Sequence, residues 1–199
     1  LAANLKSPDV YVREKSRRQL YELDQTVAAE ALAGFVSSLD ATDAGFEHHR
    51  LEALWAYQTV GVFEPKLLEA VLASRDPRAR AAAVRALRYS LDKVPDAAAK
   101  LARAAADEYP RVRLEALAAL GSLRDPHTIE IAATVTNRPM DRFLDYAFKH
   151  TAISLKDLWL PALQAGQIDF GGSADRIQAS LSAINAQDAV AILLKLLES

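Results

Sequence analysis

The side chains able to do acid–base chemistry gather in one place: Asp141, Asp145, Lys149 and His150. Paired carboxylates in unlike surroundings can divide acid and base roles between them. Asp145 and Lys149, however, stand four residues apart, the spacing of an ordinary ion pair on a helix. Asp141 follows closely on Pro139, where a carboxylate serves as a cap-region charge. No catalytic residue is assigned. A metal reading is invited by His48 and His49, but adjacent helical residues point about 100° apart. His48 and Glu52 have the i, i+4 spacing of helical metal ligands, yet offer two of the three or four ligands that zinc requires. No metal and no cofactor is expected; the simpler arrangement packs one imidazole near Trp55 and exposes the other.

A repeated arginine organises the rest. RLEAL occurs at 50–54 and again at 113–117, with RAAAV at 80–84 between them. Aligning the copies on Arg13, Arg50, Arg80, Arg113 and Arg142 gives intervals of 37, 30, 33 and 29 residues, in the range of stacked repeat arrays. A cation in the first turn of a helix faces the positive end of the macrodipole, so its recurrence calls for a compensating partner. The expectation is an inter-repeat fastener, each Arg meeting an acidic cap or loop carboxylate of a neighbouring unit such as Asp9, Asp76 or Asp107. Binding is then to be sought where the copies differ, and the candidate interaction surface is His48, Trp55, Tyr57 and Tyr109.

The elements that must carry these residues are helices. Three positions after the Arg stands a small residue (Ser16, Ala53, Ala83, Ala116), and seven after it a large one (Leu20, Tyr57, Leu87, Leu120). Both lie on one helical face, where small residues let neighbouring helices approach closely. Pro8, Pro77 and Pro110 are read as first helical residues, where the missing donor costs nothing. Second apolar stretches follow at 25–38, 64–73, 95–106 and 125–136. The fold expected is all-α, a right-handed α-α superhelix of about five helical hairpins plus a C-terminal helical cap. Its array occupies 1–166, with units at about 7–40, 45–74, 75–106, 107–136 and 137–166. The fifth unit has two competing registers, one matching Pro139 to Pro110 and one shifted by a residue. Its second helix, near 155–166, contains Pro161, which should kink or end it. QIDFGGS at 167–173 reads as a loop, and helices near 174–184 and 187–198 close the chain or link it to a following domain.

Composition narrows the function classes. The 199 residues are 51% hydrophobic and 7% aromatic, dominated by helix-forming Ala and Leu. The net charge of -2 lacks the footprint of a bulk polyanion binder. A local basic excess at 75–93 (Arg75, Arg78, Arg80, Arg85, Arg88, Lys93), with Trp55, Tyr57 and Tyr89 near in sequence, keeps a DNA-glycosylase-like helical-repeat protein as the alternative. Cys is absent, which excludes thiolate ligands and disulfides within the chain. No apolar run reaches the roughly 20 residues of a membrane span. Opening on Leu1 without a leader, the sequence reads as a piece of a longer polypeptide.

DPRARAAAVRAL at 76–87 resembles the first-helix pattern of HEAT repeats, a family whose architecture armadillo-like repeats share. EHHRLEALWAYQ (47–58), DEYPRVRLEALAAL (107–120) and RPMDRFLDYAFKHT (138–151) further resemble the HEAT segment of large secreted planctomycete and verrucomicrobial proteins. In those proteins a dehydrogenase-like propeller domain precedes the array and a c-type cytochrome domain often follows. The resemblance implies a non-catalytic scaffold or protein-interaction module within a larger, periplasmic or extracellular bacterial protein, any redox activity belonging to the other domains. A protein partner or flanking domains would be bound on the concave face lined by second helices.

Overall fold

Residues 1–184 and Val190 are described by a computed structural model of the chain. Its contacts form two compact units, Leu1–Ser90 and Leu91–Ser199. Among the described residues every regular element is helical, the all-α helical repeat that the sequence predicts.

In the first unit a 3-10 turn, Ala2–Lys6, precedes α1 (Val10–Tyr21), α2 (Gln25–Ser37), α3 (Phe46–Thr59), α4 (Pro65–Leu72) and α5 (Pro77–Arg88). α3 packs against both α1 and α5, and also against α2 and α4. Contact between every second helix is the mark of stacked hairpins. The second unit holds α6 (Ala97–Ala105), α7 (Pro110–Leu120), α8 (Thr128–Ala133), α9 (Arg142–Ser154), α10 (Lys156–Gln164) and α11 (Ala174–Ser182). Here α7 packs on α9 and α6 on α8, again one helix removed.

The starts are set by side chains that satisfy orphan N–H groups. Asp9 accepts from Tyr11 N at 2.8 Å, Asp24 from Thr26 N at 2.9 Å, and Asp76 from Arg78 N at 2.8 Å. Pro65, Pro77 and Pro110 occupy first helical positions. Pro8 does not: Asp9 takes the cap of α1 and leaves Pro8 outside the helix. The small positions Ser16, Ala53, Ala83 and Ala116 and the large ones Leu20, Tyr57, Leu87 and Leu120 are all buried, which fits close helix approach at the seams.

Two expectations about the fifth hairpin change, its register and the break at Pro161. Asp141 caps α9, accepting from Phe143 N at 2.9 Å and Leu144 N at 2.8 Å. Matching the caps Asp9, Asp76, Tyr109 and Asp141 puts Asp145 where α1, α5 and α7 carry Arg, so neither register offered by the sequence applies. The small and large positions are exchanged there: Phe148 and Ala152, 3% and 0% exposed, stand where α7 has Ala116 and Leu120. Pro161 lies inside α10, which continues to Gln164; the helix starts only at Lys156, so a single internal donor is lost. It is α11 that packs against α8, closing the second-helix row. The loop before α11 is pinned by Glu130, whose Oε1 accepts from Asp169 N at 3.1 Å and Phe170 N at 2.8 Å. The closing helix expected near 187–198 falls outside the described residues, apart from Val190.

Candidate functional site

Three of the five repeated arginines reach backbone carbonyls. Arg13 Nη1 donates to the carbonyls of Ser7 and Pro8 at 2.7 and 2.9 Å. Arg80 Nη1 donates to those of Ser74 and Arg75 at 3.0 and 3.4 Å. Arg113 Nη1 donates to those of Asp107 and Glu108 at 2.9 and 3.0 Å. In each case the acceptors lie six and five residues before the Arg, in the loop entering its own helix. The Arg is the fourth residue of its helix, and its side chain runs back toward the start, as helical side chains do. Its cationic head thus meets loop carbonyls, which offset the unfavourable end of the helix dipole. Asp9 and Asp76 accept from N–H groups at the starts of their own helices and Asp107 from Tyr109 N at 2.8 Å, while Arg13 also meets a carboxylate of the next hairpin, Glu52, at 2.8 Å.

The copies then diverge. Arg113 alone of the five is fully buried, 2% exposed, and its Nη2 crosses to the carbonyl of Pro139 at 2.9 Å, joining two loops. Burial, with a smaller contribution from Arg138, pushes its guanidinium below the ordinary arginine value, against the attraction of Asp107 and Asp141. Arg50 turns to Glu47 and lies over the Phe46 ring, 4.6 Å from its centroid. Arg142, at the first position of α9, makes no clasp and lies over Phe143 at 4.7 Å.

In the first unit Arg13 and its neighbour Arg17 build a charged knot between α1 and α3. Glu52, 1% exposed, accepts from Arg13 Nε at 2.8 Å and from Arg17 Nη1. His48 Nε2 stands 3.5 Å from the same carboxylate, and Arg17 lies 5.8 Å from the Trp55 centroid. A carboxylate this deeply buried needs several hydrogen-bonded cations; Glu52 has two arginines. His48 and Trp55 are therefore brought together here. Tyr57 is not: it is 4% exposed and donates its hydroxyl to the carbonyl of Ala29 at 3.4 Å, so it leaves the candidate surface. That burial also removes Tyr57 from the aromatic set considered beside the basic run, while Tyr89 is 71% exposed.

In the second unit the entrances of α7 and α9 border a cleft of about 310 Å³, lined by Tyr109, Pro110, Arg111, Leu114, Asp141, Phe143 and Leu144. Tyr109 and Asp141, singled out separately in the sequence, meet here. Asp141 is engaged as the cap of α9, and Asp145 pairs with Lys149 Nζ at 2.8 Å, both side chains about half exposed. His150 stacks obliquely on Tyr146, centroids 6.2 Å apart. The acids and bases of this region thus form a cap and a surface ion pair along one helix. Among the described residues no three His, Asp or Glu side chains converge as metal ligands, and no helix is long and apolar enough to cross a membrane.

Sequence reasoning missed the exposed aromatic side chains of α9, Phe143 at 58% and Tyr146 at 71%. Their i, i+3 spacing was visible, but without the register of the fifth hairpin it could not be assigned to the outward face.

Paired helices that contact their second neighbours, entered through caps and closed by arginine clasps, define a helical-repeat protein. Residues 64–147 match the family model of HEAT repeats, which supports reading the chain as a HEAT-repeat protein. No curated protein matches the chain.

Proposed function

We propose that this chain is a non-catalytic scaffold and protein-interaction module, part of a larger secreted bacterial protein, which binds a protein partner or positions flanking domains of its own polypeptide. The observation that carries the reading is a division of labour among side chains. Glu52, Asp141 and Glu130, the acids best placed for chemistry, are engaged in knots, caps and loop clasps. Large apolar groups stand outward instead: Tyr11, Tyr21, Phe143 and Tyr146 are 67%, 69%, 58% and 71% exposed. Aromatic side chains are enriched at protein interfaces. They stand on or beside first helices, whereas the sequence pointed to the face lined by second helices. The resemblance at 47–58, 107–120 and 138–151 supports the secreted setting.

The test compares amide exchange of this segment alone and within its parent polypeptide, with DNA binding measured alongside. Protection of a contiguous patch in the parent, and no salt-dependent affinity for duplex or single-stranded DNA, is the expected result. Uniform exchange together with DNA binding that falls steeply with salt would overturn the reading.

A further inference from the structure

The outward face of α9 differs from that of the other first helices. Phe143, Tyr146, His150 and Ile153 are all exposed, the three apolar ones at 58%, 71% and 55%. Their spacing of three, four and three residues is that of the a and d positions of a heptad. At about 100° per residue they fall within an arc of about 80°, opposite the buried Leu144, Phe148, Thr151 and Ala152. Counted from the caps, the corresponding residues are Tyr11, Glu14, Arg18 and Tyr21 on α1, and Arg78, Ala81, Arg85 and Arg88 on α5. Only α9 carries an aromatic or apolar group at three of the four positions together with an imidazole at the other. At its upper end the stripe runs into the cleft lined by Tyr109, Pro110 and Leu114, so the apolar surface continues beyond the helix.

The flanks are unequal. Arg142 and Lys149 border the stripe on one side, Ala147 and Ser154 on the other. Arg142 has no carboxylate partner among the described residues, and Lys149 is half exposed beside Asp145. Asp145 lies further round the helix than either cation. A second copy of the chain, paired antiparallel along this stripe, would set Arg142 and Lys149 against their own counterparts, a repulsive arrangement. A helix with acidic flanks meets them with opposite charge.

We infer that the stripe Phe143–Tyr146–His150–Ile153 is the docking surface for an amphipathic helix of a partner protein whose apolar a/d seam is bordered by acidic residues. This rests on the interaction-module reading and gives it a place and a chemistry. Laid along α9, the partner's apolar side chains would cover Phe143 and Tyr146, with one anchor entering the cleft beside Tyr109, while its Glu or Asp side chains face Arg142 and Lys149.

The test uses two labelled synthetic helical peptides with the same Leu seam at i, i+3, i+7 and i+10, one flanked by Glu and one by Lys. Anisotropy is followed against the intact chain and against Phe143→Ser/Tyr146→Ser, whose exposed positions leave the circular dichroism unchanged. The expected result is binding of the Glu peptide in the micromolar range, with the Lys peptide at least about tenfold weaker. The double variant should lose about tenfold or more. No binding by either peptide, equal binding of both, or undiminished binding to the double variant overturns the proposal, as does self-association abolished by that variant. Loss of this proposal alone leaves a protected patch elsewhere in the amide-exchange comparison; if the interaction reading itself fails, no patch is protected.

Discussion

Arg113 offers the sharpest test of how the second unit is held together. Arg113→Met keeps most of the buried stem's volume and removes the guanidinium, so the cavity contribution stays small. Three hydrogen bonds disappear, two to the loop entering α7 and one to the loop entering α9. Hydrogen bonds to charged groups are worth about 1.5–3 kcal/mol each. Two corrections reduce the sum: removal relieves the desolvation of a buried cation, and Glu108 and Pro139 are exposed residues whose carbonyls water can reach. The net expectation is a loss of about 2–4 kcal/mol. Arg142→Ala, which removes an arginine without a clasp, should cost less than about 0.5 kcal/mol.

The chain's two tryptophans make the measurement specific, since Trp55 lies in the first unit and Trp159, 0% exposed, in the second. In a Trp55→Phe background, urea unfolding followed by Trp159 emission reports the second unit alone. The midpoint should fall for Arg113→Met with the slope unchanged, and Arg113→Lys, a point charge without the fork, should lie between the two variants. Equal midpoints for Arg113→Met and Arg142→Ala would show that the clasp contributes nothing.

Other consequences are separable. Glu52→Gln keeps the shape of the knot but leaves Arg13 and Arg17 without a counter-charge, and should destabilise the first unit by about 1–3 kcal/mol, read from Trp55 emission in a Trp159→Phe background. Burial would raise the Glu47 carboxyl, but hydrogen bonds from Ser74 and Arg50 outweigh it and hold the group below its ordinary value of 4.5. Its contribution to stability is therefore present above that value and lost as pH falls through the lower folded one; Ser74→Ala should reduce that acid dependence in pH-resolved denaturation. The hydrogen bond from His127 to Glu130 raises the imidazole above its ordinary 6.5, so its small contribution is complete below that value and fades as pH rises through the folded one. In an NMR titration Glu130→Gln should move the His127 midpoint down. Phe170, 1% exposed with φ of 57°, meets the Trp159 ring edge-on. Phe170→Ala should cost about 3–5 kcal/mol, and Phe170→Gly about 1 kcal/mol less, because glycine adopts that φ without strain, both followed by the red shift of Trp159.

What the sequence showed and what it hid divide along physical lines. The stacking face was legible because Ser16, Ala53, Ala83 and Ala116 recur with Leu20, Tyr57, Leu87 and Leu120 at a helical period, and side-chain size is written in the residue type. Helix starts were legible where Asp–Pro or Pro alone marks them, and misplaced at Pro8, where a following Asp competes for the cap. The carbonyl acceptors of Arg13, Arg80 and Arg113 were not legible, because a carbonyl oxygen belongs to every residue and leaves no signature, whereas a carboxylate of the neighbouring hairpin, as Glu52 is for Arg13, was the kind of partner expected. Tyr57 was read as surface because the copies differ there, although it holds the large position of the seam; its hydroxyl is satisfied by the Ala29 carbonyl. The clasp of Glu130 on Asp169 and Phe170 spans some 40 positions of chain, beyond any local pattern.

The fifth hairpin shows why the arginine position matters for function. Counting from the cap, Asp145 stands where an arginine would be, and the residue six before it is Pro139. That carbonyl is the one Arg113 reaches from the preceding hairpin at 2.9 Å. The acceptor is thus held as it would be by a clasp of its own, but the donor comes from α7. Freed from that duty, the fourth position of α9 carries an Asp that pairs along the helix with Lys149, and the first position carries an arginine directed over an exposed phenylalanine. The loop entering α9 is fixed from behind by a buried residue, so its outward face can vary without loosening the stack. That makes α9 a helix on which an apolar stripe can be carried at little cost to the fold.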